Sequence, residues 1–164
     1  MRQPVVLVRA PEDVPPGAGS GDAGRGVVVG VDLGRPCDAL LAFAFEEASR
    51  RHRTLTALHS WMLPPLAGTG AAYSAEANAL IARSTETDLE HLLSPWRDRY
   101  PSVVLDARAA VGHPSRQLLE ACAGAELVVV GRRIRRARIG GHVGPVTHAV
   151  LHHSTAPVAV VAHS

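Results

Sequence analysis

The sequence contains no lysine; all seventeen of its Lys/Arg positions are arginine. That absence excludes Schiff-base and pyridoxal phosphate chemistry and the phosphate-binding lysine of P-loop nucleotidases, each of which needs a primary amine. Cysteine is scarce: Cys37 and Cys122 stand 85 positions apart and fit no metal or redox spacing. Two such thiols are expected to be reduced and buried, not bridged. No stretch approaches the ~20 apolar residues that span a bilayer, and the run Val5–Val8 is too short for the core of a signal peptide. The expected setting is cytoplasmic, with no membrane partner. A strong charge of one sign is also missing. The net charge is +2 and aromatics make up 4%, so the basic, aromatic-interleaved surface that holds nucleic acid is not expected.

What is present fits one domain. The chain has 164 residues, 46% of them hydrophobic, enough to fold without disulfides or metal. Residues 11–26 (PEDVPPGAGSGDAGRG) hold a single large apolar residue and read as a linker. Their glycines precede a strand instead of following one, and no Lys-Ser/Thr comes after them, so a phosphate loop is not expected there. The organisation predicted is a tail and linker over 1–26, with an extra strand at 5–8 as one option, and a domain over 27–164.

From Val27 the pattern is regular. VVVGVD (Val27–Asp32) reads as a strand buried on both faces. A turn at Gly34, Pro36 and Asp38 leads into a helix through Arg53, then a strand at Leu55–Trp61. A loop at Met62–Ala72 leads to a helix over 74–99, with Ala77, Ile81, Leu89, Leu92 and Trp96 near one face and Pro95 expected to kink or restart it. A strand at Val103–Ala110 precedes a helix at Pro114–Ala123, capped by Gly124. The chain finishes with a strand at Leu127–Val130, a basic loop, a helix over Gly144–His153 and a strand at Val158–Ala162. This alternation predicts a parallel α/β sheet covered on both faces. Ligands on such sheets bind outside the carboxyl ends of the strands where the strand order reverses, which directs attention to the loops after Asp32, Trp61, Ala110 and Val130.

VVVGVD, LTALHSW, VGHPSRQLLEACAGAELVVVG, the glycine-spaced loop and VLHHSTAPVAVV, in that order, resemble the universal stress protein domain over residues 27–162. The resemblance implies a Rossmann-like sheet of five parallel strands in the order 3-2-1-4-5, similar to adenine nucleotide alpha-hydrolases. It also implies a homodimer pairing through the final strand, 158–162. The family includes members that bind ATP or related adenine nucleotides and members that do not. The binding members carry a glycine, two residues, a second glycine, nine residues, and a glycine followed by serine or threonine. Here Gly131 and Gly144 match the first and last glycines, but Ile134 stands at the second and Pro145 replaces the hydroxyl residue. A β-branched side chain disfavours the backbone angles of a phosphate cradle, and proline has no N–H to offer it. Binding of ATP or another adenine nucleotide is therefore expected to be weak or absent.

Arg132, Arg133, Arg135, Arg136 and Arg138 fall in this loop. They are either phosphate contacts that replace the lost backbone donors, with Arg133 the residue singled out, or a solvated basic loop. The remaining positions implied by the resemblance are Asp32, Ser60, Gly112, Val130 and Thr147. Asp32 is either a contact to base and ribose or a carboxylate accepting N–H bonds in the next turn. Thr147 is either a ligand hydroxyl or an ordinary first-turn residue. His148 and His152 have the i, i+4 spacing of zinc ligands, but no carboxylate or third ligand completes a site. His59 is expected as a hydrogen-bonded core residue. No nucleophile–base–acid set emerges, so the function expected is a non-catalytic stress-response module, with an anion- or nucleic-acid-binding protein using residues 132–138 as the alternative.

The first ten residues, MRQPVVLVRA, also resemble the end of such a domain and look like the junction of a tandem protein. Val5–Val8 is then expected to pair with the edge of Val158–Ala162, in its own chain or another copy; a terminal tail without a fixed partner is the alternative.

Overall fold

The computed structural model describes residues 5–7, 26–62, 75–133 and 144–163. Ten elements follow one another: β1 (Val5–Leu7), β2 (Val27–Gly30), α1 (Asp38–Arg51), β3 (Leu55–Trp61), α2 (Ala75–Arg99), β4 (Leu105–Val111), α3 (Pro114–Ala121), β5 (Leu127–Arg133), α4 (Pro145–His153) and β6 (Val158–His163). They build one sheet in the order β1-β6-β5-β2-β3-β4. Strands β2 to β6 are mutually parallel and reproduce the 3-2-1-4-5 order. The sixth strand, β1, lies antiparallel to β6.

The strands are apolar on both faces because helices cover both. Val27, Val29, Leu55, Ala57, Val129 and Ala159 point to the α1/α2 side, with Leu41, Phe45, Leu89 and Leu93. Phe45 stacks with Trp96 and Tyr100 at ring-centroid distances of 6.0 and 5.5 Å. On the other side Val28, Leu58, Val128 and Val130 pack with Leu118, Cys122 and Val150 of the α3/α4 layer. The strict alternation of Val27, Val28 and Val29 between the two cores is the period-two geometry of a strand.

Several boundaries differ from those expected, each for a local reason. The first parallel strand ends at Gly30, not Asp32, because Asp32 turns the chain: its Oδ1 accepts the Gly34 N–H at 3.0 Å and its carbonyl the Arg35 N–H at 3.1 Å. α1 stops at Arg51, not Arg53, where His52 adopts the left-handed conformation (φ 51°) and its N–H closes onto Ala48 and Ser49 carbonyls. β4 starts at Leu105, since the Val103 N–H is spent on a turn to the Tyr100 carbonyl. α3 ends at Ala121, with Gly124 at φ +80° beyond it. α2 runs on through Pro95 without restarting; Pro95 and His91, whose carbonyl the proline cannot serve, are both exposed. Its buried residues are Leu89 and Leu93, the latter one turn beyond Leu89 on the same face though not among the residues named for it.

Two further differences bear on function. β5 extends to Arg133, so Arg132 and Arg133 are strand residues and not part of a loop. The final strand is also not a free edge. Val158, Ala159 and Val160 are paired on one side by β5 and on the other by Leu7, Val6 and Val5.

Candidate functional site

The strand order reverses between β2 and β5, which places a crevice at the carboxyl edge of the sheet beside those two strands. The parallel register sets Val27 opposite both Leu55 and Leu127. Counted forward in that register, Asp32, Ser60 and Arg132 reach the same level, on or just beyond three neighbouring strands. Gly112 follows the end of β4, where its N–H bonds the Trp61 carbonyl at 2.9 Å. Gly131 lies on β5, and Gly144 caps the N-terminus of α4. The topology thus gathers Asp32, Ser60, Gly112, Gly131 and Gly144 at one end of the sheet.

Their surroundings separate solvent-facing groups from buried ones. Asp32 is exposed, with one carboxylate oxygen committed to Gly34. His59 holds the adjoining turn: its Nδ1–H donates to the Val31 carbonyl at 2.9 Å, which fixes that nitrogen as the protonated one. Val130 is buried in the α3/α4 core, so only its backbone faces the crevice. Thr147 is also buried, and its Oγ1 donates to the Gly131 carbonyl at 2.9 Å; the hydroxyl joins α4 to β5. A Cβ built on Gly144 would meet no atom of the described residues within 4 Å. Gly112 has φ +146°, and a Cβ there would lie 2.9 Å from Gln117 Nε2. Glycine is favoured at that position by the backbone conformation, while the end of the flexible Gln117 side chain could move aside.

Sequence reading alone does not isolate Arg132 from its arginine neighbours. Its Nε–H is shut off from solvent and has no hydrogen-bond partner among the described residues. The signal was the parity of β5: Val128 and Val130 point to the α3/α4 side, and Arg132 is next in that series. Arg133 stands opposite His163 in the β5–β6 ladder. Ile134, Arg135, Arg136 and Arg138 lie outside the described residues.

Among the described residues, the other reactive side chains do not assemble a catalytic set. Burial pushes the Cys122 thiol up to about 11, against a weaker opposing hydrogen bond with Ser154. The thiolate that nucleophilic chemistry needs is thus suppressed near neutrality. Cys37 precedes α1 and packs partly against the core. His148 and His152 lie on the exposed side of α4 with their rings tilted at 41° and centroids 4.3 Å apart. Among the described residues no three His, Cys, Asp or Glu side chains converge as a metal site, and no helix is long and apolar enough to cross a membrane.

Comparison with known proteins agrees with this architecture. Residues 25–162 match the sequence model of the universal stress protein family. A universal stress protein of Mycobacterium tuberculosis is 40% identical over 136 residues, 82% of this chain and 43% of the relative. The chain thus spans about half the length of the curated relatives it matches. Among solved structures, a universal stress protein from Lactobacillus plantarum superposes with a TM-score of 0.56 at 19% identity, covering 84% of this chain and 97% of the other. One from Archaeoglobus fulgidus, in complex with dAMP, gives 0.57 at 24% identity, covering 84% and 97%.

Proposed function

The chain belongs to the universal stress protein family, and from that premise we propose that it is a regulatory stress-response module that makes and breaks no bonds. At most it senses an adenine nucleotide held at the carboxyl edge of the sheet, without a cradle for a triphosphate. Ligand-biased association or conformation would be its mechanism.

The observation that carries the nucleotide part is the unpartnered Arg132 Nε–H at the strand-order reversal. A buried donor without an acceptor costs about 1–3 kcal/mol, more when charged, and an anionic oxygen would remove that cost. Asp32, exposed at the same level, supplies a carboxylate for ribose or base hydroxyl and amino groups. Ile134 and Pro145 argue against a full phosphate cradle, since one is β-branched and the other lacks an N–H. The dAMP complex belongs to the Archaeoglobus protein and supports only the point that this fold accommodates a monophosphate.

Titration calorimetry with AMP and ATP at ~150 mM salt tests the reading. The expectation is that ATP binds no tighter than AMP and more weakly than micromolar. Micromolar ATP affinity, roughly 8 kcal/mol, would require a cradle that these residues do not build. Arg132→Gln should weaken AMP binding at least about tenfold, the worth of one charge-assisted hydrogen bond; unchanged affinity would remove Arg132 from the site.

A further inference from the structure

We propose that His148 and His152 form a two-imidazole site on the exposed side of α4 for a divalent transition-metal ion that takes its ligands at right angles, nickel(II) or copper(II). Water fills the remaining positions around the ion.

The helix supplies the spacing. Residues four apart lie one above the other on the same helical face, so α4 itself brings the two rings together. Both side chains are exposed, and an ion reaches them without opening the fold. α4 (PVTHAVLHH) holds no arginine, aspartate or glutamate, so no fixed charge on the element repels an ion or competes for it. His152 also lies in the last turn, where the partial negative charge of a helix C-terminus favours a cation.

The distance between the rings selects the ion. With metal–nitrogen bonds of about 2.1 Å, the centroid of a ligating imidazole lies about 3.2 Å from the metal. Two such rings at right angles have centroids about 4.5 Å apart, and two at the tetrahedral angle about 5.2 Å. The observed separation is 4.3 Å, which fits the right angle and falls short of the tetrahedral one. Rotation about the Cβ–Cγ bond turns each ring about its own centroid, so one nitrogen of each is brought to a shared ion without changing that separation. Right-angle ligands belong to square-planar and octahedral ions, and imidazole with water oxygens suits nickel and copper. Zinc, which takes three or four protein ligands at a tetrahedral site, finds no third among the described residues.

Such a site is coupled to the fold. The two rings meet only while residues 148–152 are helical, so the ion binds the folded chain and stabilises it by mass action. α4 has nine residues, too few to hold a helix alone in water. Its first turn is braced to Gly131 through Thr147. An ion on its second half therefore firms the same helix whose N-terminus stands at the crevice.

Nickel chloride is the probe, because the free Cys37 thiol reduces copper(II). Titration calorimetry of the untagged full chain should show nickel bound at one ion per chain. His148→Gln and His152→Gln should each weaken that binding at least about tenfold, the gain from making the second imidazole an intramolecular ligand. His153→Gln, one residue further round the helix, should leave it unchanged. All three side chains are exposed, so the substitutions keep the fold. In a thermal scan, nickel at about 1 mM should raise the Tm of the unmodified chain and of H153Q, but not of H148Q or H152Q. Zinc chloride should bind more weakly than nickel. Undiminished affinity in H148Q or H152Q overturns the proposal, as does the absence of nickel binding to the unmodified chain. An equal loss in H153Q would mark a loose histidine cluster in place of a chelate, and tighter binding of zinc would refute the right-angle geometry; either result also overturns it.

Discussion

Thr147 Oγ1 donates a 2.9 Å hydrogen bond to the carbonyl of Gly131, its partner sixteen residues earlier. That bond fastens the first turn of α4 to the end of β5 across the whole intervening loop. It sets where the N-terminus of α4 stands relative to the crevice, so a residue left open between ligand hydroxyl and ordinary first-turn residue acts as a brace.

Replacing the hydroxyl with a methyl group keeps the volume and leaves the Gly131 carbonyl without its donor. Thr147→Val should destabilise the fold by about 1–3 kcal/mol, with Thr147→Ser recovering most of it. Urea unfolding monitored by circular dichroism reads both. Equal stability of all three proteins would mean that water replaces the bond.

The architecture was legible in the sequence because short, valine-rich apolar runs such as Val27–Val29 and Leu127–Val130, alternating with helical stretches, fit strands covered on both faces. The helices were legible from Pro114 and Pro145 at their first positions. Their ends were less so. The stop at His52 depends on a left-handed histidine, a conformation uncommon for any residue with a Cβ, and the end of β2 on how a single carboxylate, Asp32, is used. The site was legible as a place but not as roles. Strand ends identify Asp32, Ser60 and Gly112 together, but whether Thr147 faces ligand or backbone depends on the approach of α4 to β5. That approach is a tertiary distance with no local signature. Arg132 was hidden among similar neighbours, and only the alternation of a strand longer than expected sets it apart.

Gly112→Ala tests a different constraint. The backbone there sits at φ +146°, and the added Cβ would press on Gln117 Nε2. A loss of about 1–3 kcal/mol is expected from the backbone strain. The double variant G112A/Q117A should recover only the part due to contact, and that difference separates crowding from strain. Full recovery would show that the backbone tolerates alanine.

His52 invites the reverse experiment. It ends α1 with φ 51° and ψ 47°, a conformation glycine adopts without a Cβ clash. Its N–H, not its ring, closes the helix, so His52→Gly keeps the cap bonds. The native-state gain of about 1 kcal/mol is partly offset by the greater freedom of glycine in the unfolded chain. A rise in melting temperature of a few degrees is expected; a fall would mean that the imidazole itself makes a stabilising contact.

Cys122 makes stability depend on pH in the alkaline range, and the sign follows from which state holds the proton. The thiol titrates near 9.0 in the unfolded chain and near about 11 when folded, because burial penalises the thiolate. Between these values the folded protein binds more protons than the unfolded one, so stability falls as pH rises. The contribution is fully present below pH 9 and is lost as pH passes through about 11, roughly 2–3 kcal/mol for a shift of that size. Cys122→Ala removes the titrating group at the cost of a small cavity against Leu118, Val128 and Val150. The variant should therefore be less stable at pH 7, yet lose less stability than the parent between pH 9 and 11. Denaturant midpoints across that range give the comparison, and parallel curves for the two proteins would show that the thiol does not titrate differently on folding.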